Sequence, residues 1–283
     1  MTKTQHSLKE KYVEANTAQV EKVTSKDGTR IVYEKDGKGP AVILVTGAMG
    51  TRNNFTELAQ LLASDFTVYN YDRRGRGDST DTKPSSVEKE VEDIEALIDA
   101  TGGSAYVSGI SSGGALALEA SLLLKDKVKK LAVYEIPYDS SEAGIKAWHE
   151  YRTKLSEFIA ADRRGDAVAL FMKFVGVPDE MLEGMRQAPF WQGLEAVAPT
   201  LLYDAAALGE DRTVPSGRAK NVTSQTLVLD GGESLKLMPF MHVTALALAK
   251  AIPNAKQQTL GGQRHDVDMK VLAPVLIEFF TDK

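Results

Sequence analysis

The stretch "SAYVSGISSGGALALEA", residues 104–120, changes character at its centre. Ala105–Ser108 reads as a short apolar strand, and Ala115–Leu124 has the alanine- and leucine-rich make-up of a helix. Glycine and serine dominate the join, Gly109-Ile110-Ser111-Ser112-Gly113-Gly114. In a strand-to-helix turn of the pattern G-x-S-x-G, the central serine sits at an apex too sharp for ordinary backbone angles. The residues two positions either side must then be small. Gly109 and Gly113 meet that need for Ser111, whereas Ser112 would be flanked by Ile110 and Gly114. Ser111 is therefore the candidate nucleophile. The Ser112 N–H, at the start of the helix, would face an oxyanion. Alone, the same residues would serve as an ordinary helix start.

Working outward, short apolar runs alternate with helical patterns, as in a largely parallel sheet covered on both faces. Val20–Thr24 and Thr29–Glu34, joined at Lys26-Asp27-Gly28, read as a hairpin. Strands are expected at Ala41–Val45, Phe66–Tyr71, Lys130–Ile136, Gln225–Leu229 and Gln257–Leu260. Helices are expected at Val87–Ala100, Met241–Ala251 and Val271–Thr281. Between residues 140 and 221 the pattern is helical with almost no strand signal. The expected organisation is a core in two parts, 1–139 and 222–283, with a polar N-terminal arm over 1–19 and a helical cap over 140–221.

Composition narrows the function classes. The 283 residues are 43% hydrophobic and 26% charged, which describes an ordinary globular protein. A formal charge of −5 argues against nucleic acid or an anionic membrane as the main partner. With no cysteine there is no thiolate nucleophile, disulfide or cysteine-ligated metal. No H-E-x-x-H or similar spacing marks a metal site, so neither metal nor cofactor is expected. The polar N-terminus carries no secretory signal pattern, and a cytoplasmic location is expected.

Three further features join the serine turn. "VTGAMG" follows the strand Ala41–Val45, and its loop could supply a second oxyanion N–H, assigned to Ala48. "DRRGRGDS", residues 72–79, fits D-x-R-G-x-G-x-S, with Arg73, Arg74 and Arg76 expected to bond turn carbonyls and acids. Of the four histidines, His6, His149 and His242 read as surface or packing residues. His265 follows the last strand through Gly261-Gly262-Gln263-Arg264, where a base could meet Ser111.

From about Val20 onward the chain resembles the α/β-hydrolase superfamily in "TGAMG", "DRRGRGDS", "GISSGG", the helical insertion and "GGQRHDVD". The resemblance implies that Ser111 attacks, that His265 acts as base and then acid, and that two backbone N–H groups hold the oxyanion. The acid departs from the usual pattern. Its common position, aligned from Gly231, falls on Ser234. Asp230 and Glu233 are close in sequence. Glu135, in the otherwise apolar "LAVYEIPY", is the preferred candidate, because a carboxylate there needs a partner. A glutamate shortly before a proline is similar to the acid of mycotoxin lactone hydrolases in this superfamily.

The expected activity is hydrolysis of a carboxylic ester or lactone through an acyl-enzyme. Large apolar residues in the insertion, Trp148, Phe171 and Trp191 among them, favour a largely apolar small-molecule substrate. A dinucleotide-binding oxidoreductase fails on spacing, since Gly47 and Gly50 do not make G-x-G-x-x-G. A non-catalytic binding protein on the same scaffold, C–C hydrolysis and perhydrolysis are the alternatives.

Overall fold

A computed structural model describes residues 18–282. Residues 1–17, most of the expected polar arm, lie outside the described residues. Eight strands form one sheet: β1 (Gln19–Thr24), β2 (Arg30–Gly37), β3 (Ala41–Val45), β4 (Thr67–Tyr71), β5 (Ala105–Ile110), β6 (Val128–Tyr134), β7 (Gln225–Gly231) and β8 (Ala255–Leu260). Their spatial order is β1-β2-β4-β3-β5-β6-β7-β8. The β1–β2 and β2–β4 pairs are antiparallel, and every pair from β4–β3 through to β7–β8 is parallel.

The central strands are buried on both faces and consequently read as continuous apolar runs. Alternate residues serve two cores. Ile43, Val45, Val107, Leu131 and Val133 face one, and Val42, Leu44, Ala132, Leu227 and Leu229 the other. The first face is covered by α2 (Val87–Ala100), α3 (Ser112–Leu124) and α11 (Phe240–Ala251), and the second by α1 (Thr56–Leu62) and α12 (Met269–Thr281).

Between β6 and β7 the chain is helical: α4 (Glu142–Ala160), α5 (Arg164–Phe174), α6 (Asp179–Arg186), α7 (Trp191–Val197), α8 (Leu201–Leu208) and the short α9 (Ser216–Ala219). A further short helix, α10 (Ser234–Leu237), follows β7. The large apolar residues of the insertion mostly pack these helices together. Trp148 and Tyr151 stack at 5.3 Å between ring centroids, and Tyr151 and Phe174 at 4.4 Å.

Two boundaries differ from the sequence reading in a way that matters. Helix α3 begins at Ser112 rather than Ala115, because Gly113 and Gly114 continue the helix directly from the turn. Strand β6 ends at Tyr134 rather than Ile136, because Glu135 takes φ +45° and leaves the strand. The connection from β3 runs outward to β4 and then back across β3 to β5. The sheet therefore has its switch point at the ends of β3 and β5, where α/β sheets bind ligands.

Candidate active site

Ser111 stands at that switch point with φ 59° and ψ −131°, outside the regions an L-residue usually occupies. Close packing enforces this. A Cβ on Gly109 would lie 2.4 Å from the Gly113 carbonyl oxygen, and one on Gly113 would lie 2.4 Å from both the Val45 and Thr46 oxygens. The turn thus presses α3 against β5 and the end of β3 at distances only glycine allows. Ser111 N–H donates to the Tyr134 carbonyl at 2.9 Å, which ties the apex to the end of β6.

The next residue of β6's chain is Glu135, with its carboxylate fully buried. Its Oε2 lies 2.8 Å from His265 Nδ1, and its Oε1 accepts the Gly231 N–H at 2.8 Å. Burial pushes the Glu135 carboxyl up. The His265 bond, the adjacent Ser234 hydroxyl and the Gly231 N–H outweigh it and hold the group below its ordinary value. Ser234, at the position where the superfamily pattern would have put the acid, is buried beside Glu135 without a well-formed hydrogen bond of its own. Its hydroxyl helps to hold the Glu135 carboxyl below its ordinary value.

The histidine loop is anchored from below. Tyr134 Oη donates to the Arg264 carbonyl at 2.5 Å, and Glu233 N–H donates to the Gln263 carbonyl at 2.9 Å. His265 keeps about a third of its side chain exposed, so the ring is held on one side and open on the other. The structure brings together His265 and Glu135. Ser111 Oγ forms no hydrogen bond among the described residues; the bond that His265 makes is the one to Glu135.

The other candidate acids are occupied elsewhere. Asp230 points to the α11 face of β7. There it meets His242 Nδ1 at 2.8 Å and accepts from Gln257 Nε2 at 2.6 Å and Thr259 Oγ1 at 3.0 Å. Glu233 pairs with Lys236. His242, read as a surface or packing residue, is instead the partner of a buried carboxylate. His149 pairs with Asp211 in a largely exposed contact.

In the loop after β3, Gly47 lies against Ser111: a Cβ there would sit 3.1 Å from Ser111 Cβ and 3.7 Å from Oγ. Its neighbour Ala48 has an N–H with no acceptor among the described residues. Ser112, as the first residue of α3, also has no intrahelical acceptor for its N–H. Met49 in the same loop, Ser111 and Glu135 are three of the six non-glycine residues with positive φ among the described residues. Strained backbone thus concentrates around one point.

The three arginines of "DRRGRGDS" are fully buried and bonded. Arg73 grips Glu90 through two bonds of 2.8 and 2.9 Å, Arg74 grips Asp93 through two of 2.7 Å, and Arg76 donates to the Gly47 carbonyl at 2.7 Å. The sequence reading missed one participant. Asp204 of α8 accepts from Arg73, Arg76 and the Ser112 hydroxyl. Its signal was an acid alone in the apolar run "LLYDAAAL". Among the described residues no cluster of potential metal ligands occurs, and no helix is long and apolar enough to cross a membrane.

Comparison with known proteins agrees with this geometry at the level of family. The sequence profile described as "Alpha/beta hydrolase family" matches residues 42–269. A solved α/β hydrolase from Sphaerobacter thermophilus DSM 20745 is 47% identical, with a TM-score of 0.83 over 92% of this chain and 100% of that one. The enol-lactonase from Burkholderia xenovorans LB400 shares the fold at 22% identity and TM-score 0.66, over 93% of this chain and 100% of that one. The uncharacterized hydrolase YraK of Bacillus subtilis (strain 168) is 33% identical over 112 residues, 38% of this chain and 41% of that protein. That match therefore spans about two fifths of the relative's length.

Proposed function

The chain belongs to the Alpha/beta hydrolase family, and on that premise we propose that it is a serine hydrolase of a carboxylic ester or lactone. The observation that carries this reading is the 2.8 Å bond between His265 Nδ1 and the buried Glu135 carboxylate, beside a serine held at positive φ. With its proton on Nδ1 directed to Glu135, His265 presents a basic Nε2 toward the exposed side of the loop. In this mechanism Nε2 takes the Ser111 proton as Oγ attacks the carbonyl carbon. Glu135 stabilises the imidazolium that results. The N–H groups of Ser112 and Ala48 receive the developing oxyanion.

Collapse of the tetrahedral intermediate expels the alkoxide, which His265 protonates. In a lactone that alcohol stays tethered to the acyl group. Water, deprotonated by His265, then releases the acid and restores Ser111. No cofactor enters any step. The helices between β6 and β7 act as a cap in this reading, and the substrate is a small, largely apolar molecule. The enol-lactonase that shares this fold is one instance of that substrate class.

The test is a fluorophosphonate probe beside p-nitrophenyl ester and lactone assays. The expected result is one labelled site, Ser111, with labelling and turnover both lost in Ser111→Ala. Turnover that survives in folded Ser111→Ala would overturn the proposal. Lack of both labelling and turnover in the wild type would favour a binding protein instead.

A further inference from the structure

Beneath Ser111 the structure buries two arginines and an aspartate together. Arg73 and Arg76 are each 1% exposed and Asp204 is 4% exposed. The arginines come from the loop after β4, whereas Asp204 comes from α8 in the inserted helices. Asp204 Oδ1 accepts from Arg73 Nη1 at 2.7 Å and from Ser112 Oγ at 2.8 Å. Its Oδ2 accepts from Arg76 Nη2 at 2.7 Å. Each arginine then reaches the loop after β3: Arg76 Nη1 donates to the Gly47 carbonyl at 2.7 Å, and Arg73 Nη1 donates to the Thr46 carbonyl at 3.2 Å.

One carboxylate is thus linked to both segments that carry the proposed oxyanion donors. It holds Ser112 directly, and through Arg76 it holds the peptide that joins Gly47 to Ala48. Charge balance alone explains part of this arrangement. Arg73 already has Glu90, and Asp204 is the acid that Arg76 meets. Charge balance does not explain why Asp204 also accepts from Ser112, a bond that neutralises nothing. That bond fixes the side chain of the residue whose N–H faces the reaction. An oxyanion donor is effective only when aimed in advance, since reorganising it during the reaction forfeits its advantage.

We propose that Asp204 is a positioning residue for the oxyanion hole, setting the Ser112 and Ala48 N–H groups together and coupling them to the seating of α8. The proposal rests on the serine-hydrolase reading above. It predicts a defect in turnover rather than in substrate binding.

The test compares steady-state kinetics of the whole protein on a p-nitrophenyl ester for wild type, Ser111→Ala, Ser112→Ala, Asp204→Asn and the double variant. Ser112→Ala is the decisive form. It keeps the backbone N–H and both Asp204–arginine pairs, so the fold should persist even if Asp204→Asn does not fold. The expected result is a kcat lowered roughly tenfold with KM within about twofold, a fraction of the 10²–10³ lost when a donor is removed outright. Where Asp204→Asn folds, its kcat should fall at least as far, and adding Ser112→Ala to it should change little. Wild-type kcat in Ser112→Ala, or a loss confined to KM, overturns the positioning role while an inactive Ser111→Ala leaves the hydrolase reading intact. An active Ser111→Ala overturns the underlying reading instead.

Discussion

Glu135 shows what a single residue can disclose before a structure exists and what it cannot. A carboxylate in "LAVYEIPY" demands a partner, and that demand identified it; the partner's identity depended on His265 arriving from 130 residues away. Asp204 sent the same signal from "LLYDAAAL", but its partners lie on the loop after β4 and at the start of α3, which no local pattern connects to α8. The displaced superfamily position, Ser234, was legible as a departure, and its burial next to Glu135 was not. Glu135→Gln tests the assignment at this scale. It keeps the shape and can still accept from Gly231, but it loses the charge that orients and stabilises the imidazolium. Turnover should fall on the order of 10³–10⁴-fold, with little change in KM. Asp230→Asn, on the opposite face of β7, should leave turnover near wild type. Comparable losses in the two variants would place the acid function on the wrong residue.

At the scale of elements, the serine turn works because a strand and a helix meet without side chains between them. Propensity undervalues this place: two consecutive glycines disfavour a helix, so α3 read as beginning three residues late. Tertiary contact overrides propensity here. A methyl on Gly113 would enter the space of the Val45 carbonyl oxygen at the end of β3 and the Thr46 carbonyl oxygen just after it, the first held beside the β3–β5 ladder and the second bonded by Arg73. Gly113→Ala should therefore cost at least about 1–3 kcal/mol of stability and displace Ser111 as α3 shifts away. Thermal unfolding and esterase assays on the same sample check both effects. Gly102→Ala offers a contrast. A Cβ there meets nothing within 4 Å, and the residue lies in a surface turn at φ 104°. It should cost stability through backbone strain but spare turnover. Unchanged stability and activity in Gly113→Ala would mean that the turn does not need the close approach.

Over the whole molecule, the alternation of strands and helices was legible because each element's periodicity is local. The order β1-β2-β4-β3-β5-β6-β7-β8 was not, since strand neighbours are chosen by non-local pairing. The manner in which the inserted helices attach to the core is likewise visible only in three dimensions, and it has a consequence for acid stability. Burial pushes the Asp204 carboxyl up, but the charges of Arg76 and Arg73 prevail and hold it below its ordinary value. Glu135 is depressed as well. A depressed folded-state value means that each group stabilises the fold above the ordinary carboxylate range near pH 4, and that this contribution is lost as pH falls through the lower folded value. Because Asp204 ties α8 to the loops after β3 and β4, its protonation should release inserted helices and core together. The chain's two tryptophans, Trp148 and Trp191, both lie in the insertion, so their fluorescence reports on it, while far-UV circular dichroism is dominated by the protein as a whole. In an acid titration the two signals should change in one coincident transition. Asp204→Asn should lower stability near neutral pH by about 3–5 kcal/mol, the cost of leaving the buried Arg76 charge without its acid. Its deficit should shrink at acid pH, where the wild-type carboxyl is also neutral. A fluorescence transition at clearly higher pH than the dichroism transition would show that the inserted helices detach on their own, and that the buried ion pairs do not bind them to the core.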